Sequence, residues 1–211
     1  MKMKRAAMKM VTVGPLQTNC YFISSGSEYV IIDPGGDFDK IVQMASTMPG
    51  DPVGVIATHG HFDHVAEAEK LAEYLSTEFL IHSRDLEIIE YTWKYARQFG
   101  LNNPAPRPGS LFDHNIALKL GRSELLIQNT PGHTPGSISI ISGESVFTGD
   151  CLFSGNIGRM DLGGNERDMA ESLKWFLTLP PNTRVFPGHG PPTILQNEIS
   201  MIKRYISVLE Q

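Results

Sequence analysis

Cysteine is scarce in this sequence of 211 residues, which contains only Cys20 and Cys151. Two thiols cannot build the disulfide framework of a small secreted domain, so we expect both to be buried and unpaired. No apolar run approaches the roughly 20 residues that span a bilayer. Residues 1–10 are basic but lack the apolar core of a secretory signal. These absences predict a cytoplasmic protein without a membrane partner.

Basic charge is also in short supply, with 18 Lys and Arg against 23 Asp and Glu and a net charge of −5 at pH 7. This balance argues against a nucleic-acid partner. The chain length suits one large domain or two small ones. Stretches typical of strands alternate with helical patterns in two comparable halves. This organisation predicts an α/β fold of the α+β kind, with two packed sheets and helices outside.

Histidine and aspartate are concentrated in Thr58–His64, which carries three imidazoles and one carboxylate in the order THGHFDH. The apolar run 53–57 before it is typical of a buried strand, and 65–75 after it has helical spacing. Borderline divalent metals bind imidazole and carboxylate together. The sequence therefore predicts a metal site where a strand ends and a helix begins.

The spacing within this motif favours two ions rather than one. A single ion cannot easily use four neighbouring donors in a tight turn. His59 and His61, two residues apart, suit one ion, and Asp63 and His64 suit a second. Two ions about 3.5–4 Å apart form the binuclear centres that catalyse hydrolysis.

Three further donors follow predicted strands and enter turns rich in glycine and proline. Such turns fix the backbone and let it approach an ion closely. A lone histidine in a turn is usually a surface residue, but the repeated placement at strand ends favours a common site. These donors are His133, Asp150 and His189.

Four segments together resemble the metallo-β-lactamase superfamily: 58–64, 130–137, 147–150 and 188–190. The resemblance implies a four-layer αββα sandwich, the metallo-β-lactamase fold, with metals at one edge of the two sheets. It also implies that residues 1–211 form a single domain without the C-terminal helical domain of classical glyoxalase II.

The resemblance assigns a role to each donor. The first metal would be bound by His59, His61 and His133, the second by Asp63, His64 and His189, with Asp150 bridging both. Asp33 matches a family position near the site and would orient a ligand imidazole. The alternative for Asp33 is a turn-forming aspartate before Pro34.

Within the superfamily, the sequence resembles the compact glyoxalase II-like hydrolases. This resemblance implies two divalent ions, with Zn²⁺ expected first and iron or manganese as alternatives. A metal-bound hydroxide would cleave a small-molecule thioester or related ester. Asp63 and Asp150 are the residues expected to take part in catalysis.

Two departures from classical glyoxalase II put glutathione specificity in question. The usual Gly-His-Glu-Tyr is Gly188-His189-Gly190-Pro191 in this chain, and only one predicted helix follows it. We therefore expect a weak grip on glutathione. Arg159 is a candidate for binding a substrate carboxylate, and a structural pair with Asp161 is the favoured alternative.

Other functions remain open at this level. Persulfide dioxygenases have a similar ligand pattern but bind one iron through positions matching His59, His133 and Asp150. A lactonase uses the same chemistry, and a nuclease is disfavoured by the net charge. His82 and His114 match no ligand position, and we expect both to be exposed. The proline-rich segment 101–110 is either a wall of the substrate pocket or a plain connection.

Overall fold

A computed structural model describes residues 7–211 and shows two six-stranded sheets packed face to face. Helices cover the outer surface of each sheet, so the predicted αββα sandwich is confirmed. Among the described residues, no helix combines the length and apolarity needed to cross a bilayer.

The first sheet has the order β1-β2-β3-β4-β5-β6 and is antiparallel over its first three strands, then parallel. Its strands are β1 (Ala7–Val13), β2 (Thr18–Ser25), β3 (Glu28–Ile32), β4 (Asp51–Ile56), β5 (Phe79–His82) and β6 (Ser110–Phe112). The helices within this half are α1 (Phe38–Ala45), α2 (Phe62–Val65), α3 (Ala68–Tyr74) and α4 (Leu86–Ala96).

The second sheet has the order β14-β13-β10-β9-β8-β7. Its strands are β7 (Ile116–Leu120), β8 (Ser123–Asn129), β9 (Ile138–Ser142), β10 (Ser145–Gly149), β13 (Arg184–Pro187) and β14 (Thr193–Ile194). Between β10 and β13 lie a small hairpin, β11 (Leu152–Phe153) and β12 (Asn156–Ile157), and helix α5 (Glu166–Phe176). Helix α6 (Leu195–Leu209) follows β14 and packs against α5.

Alternating side chains explain why the central strands are apolar on both faces. In β2, Tyr21 and Ile23 point into the core between the sheets, while Cys20 and Phe22 point toward the helices of the first half. A strand places successive side chains on opposite faces, so a strand covered on both sides needs a continuous apolar run. Cys20 is buried and unpaired in this strand, so the prediction for this thiol is confirmed.

Helix boundaries differ from the sequence prediction at several caps. The helical pattern after the metal motif divides into α2 and α3, separated at Ala66 and Glu67. Ser83 is a residue type that favours helix N-caps, but here it begins a 3₁₀ turn that precedes α4. The Asp37 side chain does not cap α1; its carboxylate instead accepts a hydrogen bond from the Gly14 amide at 3.1 Å.

The segment 101–110 packs away from the metal motif, against helices of the first half. The Trp93 indole donates to the Asn103 carbonyl at 2.8 Å, and the Arg107 amide donates to Glu69 at 3.0 Å. The composition of this segment predicts that it has little to bury, but Pro106 is buried, so this prediction is wrong at that residue.

Candidate metal centre

All seven predicted donors lie at one edge of the sandwich, where strands from both sheets end. Four of them follow β4 into α2, namely His59, His61, Asp63 and His64. The other three come from the second sheet, with His133 after β8, Asp150 after β10 and His189 after β13. Packing the two sheets face to face therefore brings together donors that are up to 130 positions apart in sequence (His59 to His189, 189 − 59).

The first donor group consists of His59, His61 and His133. One nitrogen from each imidazole lies within 4.8 Å of the others. His61 Nδ1 and His133 Nε2 are 2.8 Å apart. All three side chains are buried, with His59 fully so.

The second donor group consists of Asp63, His64 and His189, again with ligand atoms within 4.8 Å of one another. His64 Nε2 is 3.2 Å from His189 Nε2, and His189 Nε2 is 3.2 Å from Asp63 Oδ2. The three atoms therefore converge on one point, as a shared ion requires.

Asp150 lies between the two groups. Its Oδ2 is 3.7 Å from His133 Nε2 in the first group and 3.5 Å from His189 Nε2 in the second. Its Oδ1 is 3.4 Å from His64 Nε2. Position 188 has room for this carboxylate because it is a glycine. A Cβ there would lie 2.2 Å from Asp150 Oδ1.

Backbone carbonyls fix the outward nitrogens of three ligand imidazoles. His61 Nε2 is 3.1 Å from the Leu162 carbonyl, His133 Nδ1 is 2.6 Å from the Arg159 carbonyl, and His189 Nδ1 is 3.0 Å from the Leu16 carbonyl. A carbonyl oxygen only accepts, so each of these nitrogens carries a proton. In the neutral ring, the inward nitrogen is then left with a lone pair, as metal ligation requires.

The first group fits a cation because its inward nitrogens have no protons to share. Burial lowers the pKa of His61 to about 4, and burial also lowers the pKa values of His59 and His133. Neutral rings at neutral pH place two lone pairs 2.8 Å apart between His61 and His133. The buried Nε2 of His59 has no hydrogen-bond partner among the described residues. A shared ion would satisfy all three nitrogens.

The second group fits a cation because it is rich in negative charge. Burial opposes the charged form of His64, but Asp150, Asp33 and Asp63 outweigh it and raise the pKa of that imidazole well above its usual value. Burial likewise opposes ionisation of Asp150, yet His64, His133 and His189 hold its pKa far below the usual range. The carboxylates thus favour a positive charge at this point, whether a proton or a metal ion.

Asp33 makes the contact expected of a carboxylate that orients a ligand. It is 1% exposed, and its Oδ2 lies 3.0 Å from His64 Nδ1. The same carboxylate accepts hydrogen bonds from the Thr58 amide at 2.6 Å and the Thr58 hydroxyl at 2.7 Å. Asp33 therefore fixes both the His64 ring and the backbone that leads into His59.

Asp85 is a buried carboxylate that the sequence analysis missed. It is fully buried and accepts hydrogen bonds from the Gly60 amide at 2.7 Å, the Gly136 amide at 2.6 Å and the Thr134 hydroxyl at 2.7 Å. Gly60 lies between His59 and His61, while Thr134 and Gly136 follow His133. Asp85 therefore joins the two loops that carry the first donor group. Its position just after β5, another strand end at this edge, is the signal that could have identified it.

The remaining candidates lie at the margin of the centre or outside it. The guanidinium of Arg159 forms an exposed pair with Asp161, as the alternative interpretation expected. His114 is exposed as predicted, but His82 is fully buried beside Asn129, so its predicted exposure is wrong. Burial raises the pKa of the Cys151 thiol to about 12, which excludes a reactive thiolate at neutral pH.

A pocket of about 680 Å³ opens beside the donor groups. Its floor includes His61, Asp63, His133, Asp150 and His189. The walls come from the β11–β12 hairpin, from α4 through Thr92 and Tyr95, and from α6. No residue of 101–110 lines this pocket, so that segment does not form its wall.

An αββα sandwich with two adjoining His/Asp groups at one edge defines a class of metal-binding proteins suited to hydrolysis. Residues 13–189 match the family described as the Metallo-beta-lactamase superfamily. The chain belongs to this superfamily.

Curated relatives and a solved structure agree with this assignment. A Bacillus subtilis protein named probable metallo-hydrolase YqgX is 34% identical over 201 residues, covering 90% of this chain and 93% of that protein. The hydroxyacylglutathione hydrolase GloC of Haemophilus influenzae is 33% identical over 199 residues, covering 90% and 94%. The crystal structure of TTHA1623 in a di-iron-bound form is 39% identical, with a TM-score of 0.80 and coverage of 90% and 96%.

These matches and the two donor groups together identify a metal-dependent hydrolase of the superfamily. The His/Asp clusters indicate a dinuclear metal site.

Proposed function

We propose that this protein hydrolyses a small-molecule thioester or related ester at a binuclear metal centre. The observation that carries the proposal is the convergence of two donor groups with Asp150 between them. His59, His61 and His133 would bind one ion, while Asp63, His64 and His189 would bind the other. Zn²⁺ is the ion we assign first, because buried imidazoles and carboxylates suit it.

Two divalent ions held by these residues would lower the pKa of a bound water and polarise a substrate carbonyl. The chain's own contribution is position and charge. Asp33 and the three backbone carbonyls fix the ligand rings, so the site is preorganised. No serine or cysteine nucleophile is needed.

Asp63 is the residue we assign to orient the attacking water. Burial opposes its ionisation, but His64 and His189 lower its pKa, so the carboxylate is charged at neutral pH. The Thr18 hydroxyl donates to Asp63 Oδ2 at 3.3 Å and fixes the carboxylate. Asp63 also lines the pocket, where it faces the incoming substrate. We propose no nucleic-acid or membrane partner.

Metal analysis followed by a substrate panel tests the proposal. Purified protein should contain two metal equivalents and cleave thioesters. Replacing His61 or Asp150 with alanine should lower metal content and reduce kcat by at least about a thousand-fold. His114→Ala is the matched control, because this histidine is 73% exposed and lies outside the site.

Three results would contradict the proposal in different ways. Full activity of a metal-free His61→Ala protein would exclude metal-dependent hydrolysis. One iron per chain with oxygen uptake on a persulfide would indicate a dioxygenase instead. Cleavage of lactones without thioesters would indicate a lactonase.

A further inference from the structure

The last two turns of α6 form one wall of the pocket with an apolar surface. Tyr205, Val208 and Leu209 line the cavity, and their spacing of three and four residues places them on one face of the helix. The same face continues back along α6 into the core through Leu195 and Ile202, which are fully buried. The buried apolar residues of α6 are therefore continuous with the apolar residues of α6 that line the pocket.

The opposite walls are apolar as well. Two residues are contributed by the β11–β12 hairpin, Phe153 and Ile157, and another by the turn after β1, Leu16. Phe62, within the metal motif, also faces the cavity and stacks on Phe99 with ring centroids 5.2 Å apart. The remaining apolar lining residues are Met160 and Leu162. A substrate that reaches the metals must pass between these side chains.

Among the residues that the structure describes, few cationic side chains line this pocket. Arg159 is the only lysine or arginine among these described lining residues, and Asp161 already pairs with its guanidinium. Arg204 lies over the Tyr205 ring, outside the lining. Desolvating a substrate carboxylate against apolar walls is costly unless a cation compensates it. The walls therefore disfavour charged substituents at a distance from the metals.

We infer that the preferred substrate is an uncharged thioester or ester with an apolar substituent, bound between α6 and the β11–β12 hairpin. This inference rests on the proposed hydrolysis and names its substrate class. It also makes Tyr205, Val208 and Leu209 specificity-determining residues.

Two thioesters with the same acyl group test the substrate class. S-lactoylglutathione carries free carboxylates on its thiol, whereas the lactoyl thioester of benzyl mercaptan carries an apolar ring. Burial of that ring predicts a kcat/KM about ten- to a hundred-fold higher for the benzyl thioester. Equal values, or a preference for S-lactoylglutathione, would overturn the inference.

A binding measurement separates this inference from the proposal of hydrolysis. Thioether analogues of both substrates, with the carbonyl replaced by a methylene, are titrated calorimetrically into the metal-loaded protein. If neither thioester is cleaved but the benzyl thioether binds about ten-fold more tightly, only the proposed hydrolysis fails. If the two thioethers bind equally, the assigned substrate class is wrong.

A charge variant tests the role of α6 directly. Val208 is 59% exposed, so Val208→Arg adds a cation to the wall without disturbing the core. It should lower KM for S-lactoylglutathione about three- to ten-fold at low salt and raise KM for the benzyl thioester. Ser207→Arg is the matched control, since Ser207 is exposed on the same turn and does not line the pocket. An identical effect of both variants would show that α6 does not contact the substrate.

Discussion

Two buried aspartates outside the ligand set hold the two donor groups in different ways. Asp33 contacts the His64 ring itself, while Asp85 contacts the backbone of the loops around His59, His61 and His133. Neither side chain reaches the pocket. At the scale of single residues, the centre therefore depends on carboxylates that do not line it.

The Asp33 contact predicts a selective loss of metal affinity. Asp33→Asn keeps the shape of the side chain but removes the negative charge beside His64 Nδ1. Loss of such a partner typically costs 10- to 100-fold in metal affinity. Competition with a chromogenic chelator should show this loss for one metal equivalent, while the other keeps its affinity. Equal weakening of both ions would mean that Asp33 acts as strongly through Thr58 and the backbone of His59 as through His64.

Asp85 predicts a dependence of folding stability on pH. Burial raises the pKa of this carboxyl to about 6, despite three hydrogen bonds that favour the ionised form. In the unfolded chain the pKa is about 3.9. Between these values the unfolded state binds fewer protons than the folded state, so stability falls as pH rises. The contribution is greatest below the unfolded pKa and is lost once pH exceeds the folded value.

Urea unfolding of metal-free protein measures this effect. The stability of wild type relative to Asp85→Asn should decrease by about 3 kcal/mol between acidic and neutral pH. Taking the difference removes the titration of the histidines, which both proteins share. A difference that does not change with pH would mean that Asp85 ionises normally in the folded state.

At the scale of elements, helix α6 connects the apolar cluster that it forms with α5 to the metal centre. The carboxylate of Glu198, which is 4% exposed, accepts hydrogen bonds from the Gly155 amide at 2.8 Å and the Thr193 hydroxyl at 2.7 Å. The Tyr205 hydroxyl donates to Asn156 Oδ1 at 2.7 Å. The contacts of Glu198 with Gly155 and of Tyr205 with Asn156 hold the β11–β12 hairpin in place. The chain that leaves this hairpin supplies the Arg159 carbonyl for His133.

Glu198→Ala should therefore loosen the hairpin and destabilise the protein. Removing the acceptor leaves the Gly155 amide and Thr193 hydroxyl without their partner, which typically costs about 1–3 kcal/mol. Thermal unfolding measures the loss, and faster hydrogen exchange at residues 152–159 locates it. Glu210→Gln is the control, because solvent screens the exposed pair of Glu210 with Lys174 and leaves it little effect on stability. Equal losses in both variants would contradict a special role for Glu198.

Helix α4 and the proline-rich segment 101–110 have different roles in the structure. Helix α4 lines the pocket through Thr92 and Tyr95, whereas the proline-rich segment after it packs against Trp93 and Glu69. After α4 ends at Ala96, the chain forms a 3₁₀ turn and changes direction at Gly100, whose φ is 84°. This change of direction leads the proline-rich segment away from the pocket. Of these two elements, only the helix lines the pocket.

At the scale of the whole molecule, the metal centre joins the two sheets. Four donors follow the first sheet and three follow the second, and an isolated bridge links Thr18 of β2 to His189. A bound ion would therefore add a link between two halves that already meet through apolar packing and through hydrogen bonds such as those of Asp85. Because unfolding separates these donors, metal binding should stabilise the folded state.

Metal removal should lower the melting temperature of the protein. A free-metal concentration a thousand times Kd contributes about 4 kcal/mol, which corresponds to about 8–16 °C for a chain of this size. Calorimetry with and without a chelator measures the shift. In a variant lacking His61 and His189 the chelator should have little effect, and a shift as large as in wild type would show that the ions bind elsewhere.

The sequence predicted the strands, and the placement of the candidate donors at strand ends, well because both depend on local patterns. An apolar run followed by a Gly/Pro turn specifies a strand end whatever the rest of the chain does, so Cys20 in β2 and His189 after β13 were placed correctly. Cap residues were less predictable. The side chain of Asp37 is used by Gly14, which is distant in sequence, and that contact competes with a cap on α1.

The sequence alone determined which side chains are available for metal binding and that they leave strands at turns. Only the tertiary structure decided that they converge into two groups, because convergence requires the two sheets to pack with their donor-bearing ends at one edge. It also decided the roles of Asp85 and α6. Asp85 is buried between loops from both halves and accepts three hydrogen bonds from them. The apolar face of α6 lines the pocket because the packing of α6 against α5 carries its end there.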